Sequence, residues 1–88
     1  MAYEWHQNGA TGALCELDNE MCCLSIERLA TDAYERFAWW VDEAQGNGRA
    51  GEWMRVRASG LEDSEEAAKR AAEAAYERLR AFKLELVA

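Results

Sequence analysis

Near the C-terminal end of this chain, Ala68, Ala71, Ala72, Ala75, Leu79 and Phe82 recur at three- and four-residue spacing. That spacing is the period of a helix with one apolar stripe facing a core. Ser64 or Asp63 can accept the free amide hydrogens of a helix start, Glu65 and Glu66 suit the positive end of its dipole, and Arg78, Arg80 and Lys83 suit the negative end. A helix over residues 64–83 is therefore expected, about 30 Å long at about 1.5 Å per residue. Its stripe begins with methyl groups and ends with bulkier side chains. Small residues let such a helix lie close to a sheet, and strands of about eight residues at about 3.3 Å each match it in length.

The segments ahead of the helix supply the strands. Asn8, Gly9 and Gly12 mark an early loop, Asp18 and Asn19 a tight turn, and Gly46, Asn47, Gly48 and Gly51 a longer connection. Residues 13–17 and 21–28 flank the Asp-Asn pair as a first hairpin. Tyr34 to Asp42 is rich in aromatic and β-branched residues, and Gly51 to Ser59 alternates around Trp53 and Val56, which gives a second hairpin. Thr31, Asp32 and Glu35 also resemble a helix start that Gly46 would close, so a helix over 33–45 competes with the strand. The chain has no proline and no internal repeat, and residues 1–88 read as a single domain. The expected class is α+β: an antiparallel meander of three or four strands packed on one C-terminal helix.

Strand alternation then assigns faces. Leu24, Ile26, Phe37, Trp39, Val41, Met54 and Val56 fall on the helix-covered face, and Arg36, Trp40, Trp53, Arg55 and Arg57 on the other. Tryptophan beside guanidinium groups is a common composition for binding hot spots. Trp40, Trp53 and Arg55 are accordingly expected to contact a protein, either a second copy in a homodimer or a different partner. The alternative is that the N-terminal segment, with Tyr3 and Trp5, folds back over this face.

Charge narrows the partner. Seventeen acids against ten bases give a net charge of −7, and residues 1–54 carry all of that excess. Such a balance disfavours direct contact with nucleic acid or an anionic membrane and favours a basic protein surface. The candidate contacts are the carboxylates of Glu16, Asp18, Glu20, Glu27, Glu35, Asp42 and Glu43. No catalytic residue is expected, since His6 is the one histidine and no serine or cysteine lies in a nucleophile motif. No metal or other cofactor is expected either: Cys15, Cys22 and Cys23 lack the spacing of a closed zinc site. Cys22 fits a buried position and Cys23 a partly covered one. The start MAYEWHQNG lacks the basic and apolar regions of a signal peptide, so the expected location is the cytoplasm.

Two resemblances accompany this reading. ASGLEDSEEAAKRAAEAAYERL, from Ala58 to Leu79, is similar to the end of a double-stranded RNA-binding domain, where three strands lead into an alanine-rich helix. In that family the helix opens with phosphate-gripping lysines, whereas Ser64, Glu65, Glu66, Ala67 and Ala68 stand here and Lys69 is the first base. The likeness therefore concerns topology. In size, acidity, meander-plus-helix pattern and absence of a catalytic motif, the whole chain resembles the small phage-encoded anti-CRISPR inhibitors. That likeness rests on Glu16, Asp18, Glu20, Glu27, Asp32, Glu35, Asp42 and Glu43. It implies a stoichiometric inhibitor in the cytoplasm of a bacterial host that binds a Cas protein or CRISPR effector complex and blocks DNA recognition. A non-enzymatic adaptor domain is the other function class that these residues fit.

Overall fold

The computed structural model describes residues 3–18, 21–30, 34–44 and 54–87, with residues 54 and 83–87 by backbone alone. Five strands precede one helix: β1 (His6–Asn8), β2 (Gly12–Leu17), β3 (Cys22–Ala30), β4 (Glu35–Ala44), β5 (Met54–Glu62) and α1 (Glu65–Val87). The strands pair antiparallel in chain order, so the sheet is a pure meander. This is the expected α+β architecture with one strand more than anticipated. The choice between strand and helix over 33–45 falls to strand, and β4 is the central member of the longest two ladders.

Local chemistry accounts for the junctions. Gly9 enters the left-handed region (φ 73°) between β1 and β2, where a side chain would be strained. Asp18 does the same at φ 54°, a conformation that aspartate tolerates, and Met21 N–H closes the turn onto its carbonyl at 3.1 Å. At the helix start Ser64 Oγ accepts from Ala67 N–H at 3.1 Å, as a capping serine should. Arg70 then braces the first turns against Glu66 at 2.7 Å and against Glu73.

The core lies between α1 and one face of the sheet. Ala68 and Ala72 are fully buried against Leu24, Val41, Ile26, Trp39 and Cys15, which shows how closely the alanine stripe lets the helix approach. Phe82, expected to complete that stripe, is 55% exposed. The reason is geometric: the Tyr76 hydroxyl already donates to Asp18 at the β2–β3 turn (2.9 Å), so the following turns run past the end of the sheet. The helix also continues four residues beyond its expected end, which leaves no base in its last turn.

Two features depart from simple alternation. Val41 pairs with Ala58 but Asp42 pairs with Val56, so Arg57 is the extra residue of a β-bulge. The bulge inverts the face of everything before it in β5. Val56, expected in the core, is 54% exposed on the opposite side, whereas Arg55 turns toward the helix side opposite Glu43. The second departure is the N-terminal segment, which packs on the helix side. Trp5 Nε1 donates to the buried Glu73 carboxylate at 2.8 Å, and the Tyr3 ring meets Tyr76 edge-on at 6.3 Å. Burial, with the Glu77 and Glu73 carboxylates nearby, pushes the Tyr3 phenol up to about 12. The helix-free face is not covered by Tyr3 and Trp5.

Candidate functional site

The register places three central rows of side chains on the helix-free face, with Leu29 and Arg36 beyond them at the β3–β4 end. Leu14, Ser25, Trp40 and Ser59 form the middle row, with His6 beyond Leu14. Glu16, Cys23, Asp42 and Val56 form the row toward the β2–β3 turn, and Gly12, Glu27, Ala38 and Leu61 the row at the other end. Trp40 is half-buried at the centre of the face. Leu61 and Val56 are each 54% exposed, and Ala38 is a buried methyl between the longer side chains of Glu27 and Leu61.

This arrangement brings together four of the ten residues expected at a contact: Trp40, Glu16, Glu27 and Asp42. It separates four others. Asp18 is spent on the Tyr76 hydroxyl, Glu35 pairs with Arg28 at 2.6 Å near the sheet end, Glu43 faces Arg57 at 4.0 Å on the helix side, and the bulge sends Arg55 to that side as well. Glu20 and Trp53 lie outside the described residues. Leu14, Val56 and Leu61 join the face without having been anticipated there. Leu61 was legible, since continuing the alternation of Ala58 and Ser59 two residues further sends it to the Trp40 side; Val56 was not, because the bulge that exposes it is set by pairing to β4.

Three carboxylates stand on this face. Arg36 leans to its rim, 3.4 Å from Asp63 and 5.2 Å from the Tyr34 ring centroid, and Arg57, the extra residue of the bulge, stands 4.0 Å from Glu43. Glu27 is steadied by the Thr11 hydroxyl. Asp42 has no such support: its Oδ1 is buried without a hydrogen-bond partner between Cys23 and Val56, and burial raises its pKa above the ordinary 3.8. A desolvated carboxylate without a donor costs stability. The sign follows from the raised value. Folded Asp42 holds its proton to higher pH than the unfolded chain does, so stability is lost as pH rises above 3.8 through the folded value. Asp42→Asn should therefore raise the melting temperature by a few degrees at neutral pH, with the two unfolding curves converging in acid; thermal unfolding across a pH series checks this.

The opposite side of the molecule offers a different hollow. A cleft of about 530 Å³ lies between β1, β2 and the first turns of α1, with Trp5, Thr11, Arg28, Glu35, Glu65 and Lys69 on its walls. Its charges answer one another, Arg28 with Glu35 at 2.6 Å and Lys69 with Glu65 at 3.8 Å, and Lys69 also sits 5.8 Å from the Trp5 ring centroid. His6 reaches this cleft without a serine, cysteine or second histidine on its walls, so no nucleophile–base pair is assembled there. Cys15 and Cys22 are buried and Cys23 is half-buried, and burial raises the thiol pKa of Cys15 and Cys23, which keeps both protonated near neutrality. Among the described residues no three His, Cys, Asp or Glu side chains are grouped to hold a metal ion, and no helix is long and apolar enough to cross a membrane. Comparison with protein families, with curated proteins and with solved structures finds no match to this chain.

Proposed function

We propose that the protein is a non-enzymatic, stoichiometric inhibitor that docks its helix-free sheet face onto a basic nucleic-acid-binding surface, of the kind a CRISPR effector complex uses to recognise DNA. The observation that carries this reading is the placement of Glu16, Glu27 and Asp42 around Trp40, with no donor among the described residues for Asp42 Oδ1. Trp40 supplies the large, half-buried ring that anchors protein contacts. Carboxylates on a rigid sheet meet arginines through short, charge-assisted hydrogen bonds, and a donor from the partner would relieve the desolvation cost that Asp42 bears alone. The outer acids Glu16 and Glu27 chiefly speed the encounter. Asp18, Glu35 and Glu43, already engaged within the fold, play no part in the contact.

The test is binding to purified CRISPR effector complex by biolayer interferometry, with circular dichroism to verify each variant's fold. Wild-type binding should weaken as salt rises and should compete with target DNA. Replacing Glu16, Glu27 and Asp42 by lysine should weaken binding about tenfold or more, mostly through slower association for the two outer sites. Unchanged affinity in that triple variant would remove the charge-mimicry reading. A non-enzymatic adaptor domain is the second reading, favoured by the apolar share of the same face, Leu14, Val56 and Leu61. For that class Trp40→Ala weakens binding to the partner and the charge reversals do not.

A further inference from the structure

The two edges of the sheet are unequal. β1 closes one side with three residues, whereas β5 exposes a nine-residue edge that no strand pairs with among the described residues. A strand of that length, without proline and without a covering element among the described residues, is a template for another strand. Its side chains carry a pattern that selects which one. Arg55 lies at one end and Glu62 at the other, both on the helix side, while Val56 and Leu61 lie just inside them on the helix-free side, each 54% exposed. Opposite charges and two equally exposed apolar residues, arranged symmetrically about the strand centre, are self-complementary under a two-fold axis.

We propose that β5 pairs antiparallel with β5 of a second copy of this chain, about a two-fold axis at Ser59, joining two five-stranded sheets into one continuous sheet. The register follows from the bulge. With Ser59 opposite its own symmetry mate, Ala58 meets Gly60 of the second copy. Arg57 is then the bulged residue toward the new neighbour, as it is toward β4. Beyond it Val56 meets Leu61, and Arg55 meets Glu62. Every pair then shares a face, as directly opposed residues in an antiparallel ladder must. Without the bulge Val56 and Leu61, five residues apart, would lie on opposite faces, and no single register would join both pairs. Trp40, one strand inward, stays open on both copies, so the inference stands independently of the function proposed above.

Sedimentation equilibrium of the whole chain, from micromolar to millimolar concentration, tests this pairing. Wild type should show a concentration-dependent monomer–dimer equilibrium. Arg55→Glu alone and Glu62→Arg alone place like charges opposite each other twice per dimer and should each weaken self-association about tenfold or more. Mixed in equal amounts, the two variants should associate again. In the mixed dimer the two substituted positions face each other with opposite charges, and the native Glu62 of one variant meets the native Arg55 of the other. Leu61→Lys, on a side chain that is exposed in the monomer, should also weaken the dimer while leaving the circular dichroism spectrum unchanged. A wild type that stays monomeric throughout the range, or a dimer that both charge variants and Leu61→Lys leave untouched, would overturn the proposal.

Discussion

Replacing Trp39 by alanine should lower the unfolding free energy by about 3–5 kcal/mol, the range for removing a buried aromatic side chain. Trp39 is 8% exposed on the covered face, beside Ile26 across β3, and its indole extends over Gly60 of β5, where Nε1 reaches Glu62 at 3.3 Å. One side chain thus joins β3, β4 and β5 beneath the helix. The alanine stripe cannot close the gap it would leave, because methyl groups on α1 have no reach to spare. A domain of this size has a total stability on the order of 5–10 kcal/mol, so about half would disappear. Urea unfolding followed by far-ultraviolet circular dichroism measures the loss without relying on tryptophan emission. A cost below about 1 kcal/mol would mean that the indole is not packed as described.

Gly60→Val should be destabilising for the complementary reason, by about 1–3 kcal/mol. A Cβ at position 60 would stand 2.7 Å from Trp39 Nε1 and 2.8 Å from Cε2 and Cζ2, closer than carbon atoms approach without displacing one another. The ring cannot swing aside cheaply, since it is buried against the sheet and its N–H is held by Glu62. The two substitutions are therefore coupled. In the Trp39→Ala background the obstruction is gone, a β-branched side chain favours the strand, and valine occupies part of the vacated space. Gly60→Val should then cost nothing or restore some stability. Strictly additive costs in the double-mutant cycle would show that the close approach is not what keeps position 60 a glycine.

The parts of this fold that were readable from sequence are those specified by near neighbours in the chain. The Ser64 cap, the acids after it and the Ala68–Ala72–Ala75 spacing identify α1 without reference to anything distant. The Asp18 turn and the alternation of Leu24 and Ile26 fix β3 in the same way, whereas over 33–45 a helix start competed with the strand and pairing to β3 and β5 decides it. What escaped notice is specified from far away. β1 contains His6, Gln7 and Asn8, with no apolar alternation, and the segment before it is held by Trp5 donating to Glu73 68 positions later. The bulge at Arg57 leaves no mark in Met54–Glu62 itself, yet it moves Val56 and Arg55 to the faces opposite those that uninterrupted alternation assigns. Among the acids, composition identified the excess but not its use: Asp18 and Glu35 look no different in sequence from Glu16 and Asp42, and only the partners Tyr76 and Arg28 set them apart.

Because each strand pairs with the one before it, the sheet can assemble in the order in which the ribosome releases it, with only local connections to close, the longest being that between β4 and β5. The ladder is complete at Glu62, but nothing then covers Leu24, Ile26, Trp39 and Val41 until α1 has emerged. A nascent chain paused between those two events presents a bare apolar sheet, the kind of surface that holdase chaperones bind and that aggregates when they are scarce. Synthesis of the helix, not of the last strand, is therefore the step at which the chain escapes that hazard. The segment ahead of the sheet settles late: Tyr3 and Trp5 wait for Tyr76 and Glu73 before they have anywhere to dock.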